Sequence, residues 1–202
     1  MNLNAIDFQT GDLLLFSENS NIFSRLIEYF THSKYSHCAI ILKSPTYIDS
    51  KLTGTYILES NYETYPDAEN NVKYNYGVQI QELNNIIKNY NGKIYWRKLN
   101  YQNKTHYFTE NIKKIYNIVK NKPYDLNPID WIKAEFKLNI GNVQQTKSFW
   151  CSALVTYIYI KLNLLPSNIN WDLIAPCDLS FTGDLENKFI NCSFDNEIEI
   201  NS

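Results

Sequence analysis

The chain has 202 residues, 44% of them hydrophobic and 20% charged, the balance of a soluble globular domain with enough length for one real core. Lys and Arg number 19 against 21 Asp and Glu, a net charge of −2, so no broad basic field exists to hold nucleic acid by counterion release. The opening MNLNAIDFQTGD has neither a basic nor an apolar leader segment, and the longest apolar run, 149–160, is too short for a bilayer and is broken by Ser152 and Thr156; a protein of a cytosol-like, cytoplasmic compartment without a transmembrane segment is expected.

Residues 12–16 (DLLLF), after Gly11, predict a buried strand. Residues 20–30 follow with Ile22, Phe23, Leu26, Ile27 and Phe30 at helical spacing and Ser20 or Asn21 placed to cap. Residues 37–42 and 55–59 read as two strands, separated by a turn around Pro45 and Gly54. The polar, Asn- and Tyr-rich stretch 61–76 reads as a long surface loop, with strands again at 77–81 and 93–99.

Helices come next. Ile112, Ile115, Tyr116 and Val119 give helical spacing to 109–120, and Pro128 suits the first turn of a helix running to about Leu138. Residues 149–162 are apolar on most sides and predict a buried central helix. The tail 188–200 alternates loosely, as a closing strand or ordered extension would. With no internal repeat or long linker, the whole chain, 1–202, reads as a single α+β domain: a small antiparallel sheet or barrel in the first half packed against helices from the second, in two layers.

Four cysteines, Cys38, Cys151, Cys177 and Cys192, lack paired CxxC spacing and a neighbouring histidine pair, so neither structural zinc nor, in this compartment, disulfides are expected. In YSHCAIIL, His37 and Cys38 are adjacent, but on a strand they point to opposite faces. Cys38 then reads as a small buried filler, and its adjacency to His37 as accidental. Cys151 is the better nucleophile. It lies in the first turn of the most apolar helix, where unpaired N–H groups and the helix dipole favour thiolate. A free thiol has a pKa of about 8.5, and lowering it by about two requires roughly 3 kcal/mol of differential interaction. The helix end supplies part, and an imidazolium must supply the rest.

His37, held rigidly at a strand start, is the natural source of that imidazolium. Glu59, closing the apolar strand TYILES, is placed to hold the second ring nitrogen. Cys151, His37 and Glu59 thus form a coherent nucleophile, base and orienter. The plainer alternative makes His37 a satisfied strand-end histidine, Cys151 a helix packing residue and Glu59 a solvated strand terminus. His32 and His106 read as exposed, and neither Cys177 nor Cys192 has a histidine near it in sequence.

The order His, acid, Cys resembles that of the circularly permuted papain-like hydrolases. These are relatives of the NlpC-type peptidases and include the YiiX-like proteins and lecithin retinol acyltransferase. The likeness runs through GDLLLF (11–16), FTHSKYSHCAIIL (30–42), ILES (57–60), GVQI (77–80), FWCSALVTY (149–157) and APCDL (175–179), and so spans residues 11 to 179. The resemblance implies the permuted papain-like (NlpC-type) fold and a cysteine hydrolase that cleaves an amide, isopeptide or ester bond through a thioester, with no metal or other cofactor. It assigns Cys151 as nucleophile, His37 as general base and Glu59 as orienter, with Tyr35 near the nucleophile polarising the substrate carbonyl. The Cys151 backbone N–H would be one oxyanion donor. The implied partner is a peptide-, amide- or acyl-containing substrate. A lipid acyltransferase or thioesterase on the same fold, and a catalytically silent binding module, are the competing readings. Oligomeric state is left open by the sequence.

Overall fold

The computed structural model describes residues 6–18, 34–61, 66–71, 77–101, 104–125 and 146–201. Six strands form one antiparallel sheet: β1 (Leu13–Glu18), β2 (His37–Lys43), β3 (Thr55–Asn61), β4 (Gly77–Glu82), β5 (Gly92–Arg97) and a late strand, β8 (Ile198–Glu199), in the order β4-β3-β2-β1-β5-β8. A two-stranded antiparallel ribbon, β6 (Leu99–Tyr101) with β7 (Cys192–Phe194), stands beside it. The described helices are α1 (Leu83–Asn89), α2 (Lys104–Val119) and α3 (Cys151–Lys161). The expected α+β class and mostly antiparallel sheet are therefore present.

Leu13, Leu14, Leu15 and Phe16 are all buried, which the unbroken run LLLF anticipates, because a strand apolar at every position needs cover on both faces. Leu13, Leu15, Cys38, Ile40 and Leu42 point to the side carrying α2 and α3. Leu14, Phe16, Ala39, Ile41 and Ile57 point to the other side, covered by Ile6, Phe8, Leu83, Ile86 and Ile200. The two-layer expectation is thus extended by a thin third layer, made of both chain ends and α1. The sequence reading gave α1 no element; it is only seven residues long and buries just Leu83 and Ile86.

The tail is an ordered extension carrying β7 and β8, as its alternation suggests. The stretch 61–76 differs from a plain surface loop. Its described turn is pinned by buried Asp67, which accepts hydrogen bonds from the N–H groups of Ile80 (2.8 Å), Glu69 and Asn70. The helices expected at 20–30 and 128–138 lie outside the described residues, as does His32.

Candidate active site

The site is built where two neighbouring strands stop pairing. Ile41 donates its N–H to the Asp12 carbonyl at 2.8 Å, so odd-numbered residues of β2 turn their N–H groups toward β1 and even-numbered ones toward β3. Pairing of β2 with β3 runs only from Ile40 to Lys43, although β3 itself continues along β4 to Asn61. His37, Cys38 and Ala39 lie beyond the paired stretch, leaving an opening between the strands. The approach to α3 meets it: the Ser60 hydroxyl donates to the Phe149 carbonyl at 2.6 Å.

Cys151 is the first residue of α3, behind Trp150, whose side chain provides no cap. Its N–H is one of the four at a helix start without an intrahelical acceptor. The thiol is 4% exposed as part of its residue and belongs to the same core cluster as Cys38.

His37 leans on the Phe16 ring, with centroids 5.1 Å apart, and is 16% exposed. Its Nε2 is bonded to Glu59 Oε2 at 2.7 Å, and the Glu59 side chain is 2% exposed. That bond leaves Nδ1 as the nitrogen available to the thiol. Glu59 is held in turn from β4. Gln79 lies directly opposite it in the register and donates Nε2–H to Glu59 Oε1 at 3.0 Å, while Asn61 Nδ2 stands 3.4 Å from both carboxylate oxygens.

The electrostatics follow from these contacts. A hydrogen bond from the Cys38 thiol favours the Cys151 thiolate most; burial opposes it, and the His37 charge, the His37 hydrogen bond and the Cys38 backbone N–H all reinforce it. The Cys151 pKa is consequently held well below the ordinary thiol value. For His37, burial disfavours charge, but the Cys151 thiolate and the hydrogen bonds to Cys151 and Glu59 outweigh it and push the pKa up to about 10. Cys38 is driven the other way, first by burial and then by Cys151, so it keeps its proton and can donate. The preferred ionic state is an imidazolium–thiolate pair.

The structure brings Cys151, His37 and Glu59 together. Strand alternation separates the His37 and Cys38 side chains as expected, and Cys38 is fully buried. Cys38 and His37 both act electrostatically on Cys151. Tyr35 interacts through its hydroxyl with Glu197, and its ring meets Tyr95 edge-on at 5.5 Å. Burial, then the charge of Glu197, drives the Tyr35 pKa upward. Cys177 and Cys192 are partly exposed, and burial pushes Cys192 up to about 11. The residues missed from sequence are Gln79 and Cys38; alternation along β4 put Gln79 on the Glu59 face, but only the register shows that they are opposite.

No protein-family model matches the sequence, and no curated protein matches it. Among solved structures, the chain is similar to the metalloprotein YiiX from Escherichia coli O157:H7, DUF1105, at 21% identity and a TM-score of 0.47. The match covers 76% of this chain and 66% of YiiX, just under two thirds of that protein's length. Among the described residues here, no group of three or more His, Cys, Asp and Glu side chains is arranged to hold a metal ion. No described helix is long and apolar enough to cross a membrane.

Proposed function

We propose that this protein is a cysteine hydrolase of the permuted papain-like, NlpC-type fold, cleaving an amide, isopeptide or ester bond through a thioester on Cys151. The observation that carries the reading is the 2.7 Å bond from Glu59 to His37 Nε2, which leaves the other ring nitrogen for the thiol at the head of α3. A buried carboxylate that fixes one imidazole nitrogen sets the tautomer and supports the charged ring.

In this mechanism the Cys151 thiolate attacks the substrate carbonyl carbon, and the negative charge moves to the carbonyl oxygen. The Cys151 backbone N–H, at the positive end of α3, is a donor for that oxyanion. The tetrahedral species collapses with loss of the amine or alcohol, which takes the proton from His37. Water then attacks the thioester, giving its proton to neutral His37, and the acid departs as the thiolate and imidazolium re-form. Glu59 keeps the ring aligned throughout.

The test is site-resolved labelling. A chloroacetamide- or epoxide-type thiol electrophile modifies Cys151 ahead of Cys38, Cys177 and Cys192 at neutral pH. His37→Ala slows that labelling by at least about tenfold, since it removes the imidazolium that holds the thiolate. Preferential labelling that persists unchanged at another cysteine in Cys151→Ser would sink the reading.

A further inference from the structure

On β3 two consecutive residues face opposite ways and hold the two halves of the proposed site. Glu59 shares the face of Ile57 and bonds His37 Nε2 at 2.7 Å. Ser60 shares the face of Leu58 and donates its hydroxyl to the Phe149 carbonyl at 2.6 Å. Both side chains are buried. β3 is held straight here because it stays paired with β4, Glu59 opposite Gln79 and Ser60 opposite Val78, after its pairing with β2 has ended.

Phe149 stands two residues before Cys151, and the backbone between them is extended, with Trp150 at φ −84° and ψ 173°. Turning the Phe149–Trp150 peptide therefore swings the head of α3. The Phe149 carbonyl has two donors, the Ser60 hydroxyl and, at a longer 3.2 Å, the Asp125 N–H. Asp125 belongs to the segment 122–125, which is bonded to the sheet through the Val78 N–H of β4. Ser60 instead ties the carbonyl to β3, the strand that carries Glu59. A hydroxyl–carbonyl bond of this length in a dry site is a firm distance constraint.

We propose that Ser60 is a positioning residue for the proposed hydrolase: its bond to the Phe149 carbonyl fixes the seat of Cys151 against the Glu59–His37 pair. The inference rests on the proposed function. Ser60 touches no reacting atom and acts through the place it gives Cys151. A thiolate stabilised by an imidazolium loses that stabilisation as the two move apart. The groups that act on the Cys151 charge are Cys38 and His37 of β2, with Glu59 of β3 behind His37.

The experiment measures the pH profile of Cys151 alkylation by chloroacetamide, resolved by mass spectrometry, in the full-length chain. In Ser60→Ala the acid limb moves up by about one pH unit, which lowers labelling on that limb about tenfold. In a His37→Ala background the same change moves the limb by less than about 0.3 unit, because the distance it sets no longer has a charge at its far end. Tyr159→Phe removes another buried hydroxyl bond, to the Gly11 carbonyl, further along the same helix. That variant lowers the urea midpoint without moving the limb, which separates positioning from general loosening. Ser60→Ala leaves the Phe149 carbonyl its Asp125 donor, so no buried acceptor is orphaned. Ser60→Thr keeps the hydroxyl and holds the limb at the wild-type position, which decides the matter even if Ser60→Ala folds poorly. An unmoved limb in Ser60→Ala, a shift that survives in full without His37, an equal shift in Tyr159→Phe, or a raised limb in Ser60→Thr each overturns the proposal. Where wild-type Cys151 labels first with a low acid limb and Ser60→Ala matches it, the Ser60 role falls and the hydrolase reading stands. Where wild-type Cys151 titrates as an ordinary thiol, both fall together.

Discussion

Gln79 acts at the site through Glu59, whose carboxylate it helps to point. Its side-chain amide reaches Glu59 Oε1 at 3.0 Å, while the other carboxylate oxygen holds His37. A buried carboxylate that loses one of its fixed donors gains freedom to turn, and the imidazole it orients turns with it. The pH dependence of Cys151 alkylation reads this directly. The thiolate persists as pH falls until the lowered Cys151 pKa is reached, and the imidazolium persists as pH rises until about 10. The ion pair therefore spans the interval between those limits. Gln79→Leu is expected to move the acid limb of the alkylation profile upward while leaving the fold intact. His37→Ala should move it further, close to the ordinary thiol value of about 8.5. A profile for Gln79→Leu that overlays the wild type would show that Glu59 does not need its amide partner.

At the scale of elements, the head of α3 is held by a strap, residues 122–125, that lies against the start of β4. Val78 N–H donates to the Lys122 carbonyl at 2.9 Å, Phe149 N–H to the Pro123 carbonyl at 3.1 Å, and Asp125 N–H to the Phe149 carbonyl at 3.2 Å. Gly77 makes this approach possible. Its φ is +150°, and a side-chain carbon there would collide with the Lys122 carbonyl oxygen and crowd the Pro123 Cα at 3.2 Å. Gly77→Ala must therefore push the strap outward, at a cost of about 1–3 kcal/mol. It should also lower the rate of Cys151 labelling, because Phe149 loses its rail. Urea unfolding and labelling kinetics on the same variant test both halves, and unchanged labelling would separate the strap from the site. The first four strands and α3 were legible in the sequence because period and burial agree in them, as in LLLF and SALVTYIY, whereas the single strand expected at 93–99 divides into β5 and β6 of different sheets. The strap was not, since KPYD carries no periodicity and takes its shape from a glycine some 45 positions earlier. The gap in pairing beside Cys38 was hidden for a related reason: alternation assigns faces, but it does not say that β2–β3 pairing ends at Ile40.

On the scale of the whole molecule, one side chain ties the last part of the chain to the sheet. Arg97, at the end of β5, is fully buried. Its Nη1 donates to the Leu179 carbonyl at 2.6 Å, Nη2 to Glu186 Oε2 at 2.6 Å, and Nε to the Asp195 carbonyl at 2.9 Å, while its guanidinium lies 5.4 Å from the Phe194 ring centroid. These partners lie 82 to 98 residues away in sequence, so YWRKL reads only as a strand with two charged residues in it. The segment they fasten places Leu179, Leu185 and Phe194 in the helix-side core and Ile200 in the thin layer on the opposite face. Removing the charge therefore affects more than one ion pair. Arg97→Met keeps volume and apolar stem but leaves two carbonyls and a carboxylate without this donor. Glu186 is 19% exposed in its side chain and can recover water, whereas the Leu179 carbonyl faces the guanidinium from a fully buried residue. The expected loss is about 3 kcal/mol, seen as a lower urea midpoint. Arg97→Lys recovers only a fraction, because an ammonium cannot serve three acceptors spread around a planar fork. Limited proteolysis distinguishes this account from simple core damage: if Arg97 is the fastening, cleavage in Arg97→Met begins within residues 180–200 while α3 stays protected. Cleavage that begins in the sheet instead would mean that the tail holds itself in place without Arg97.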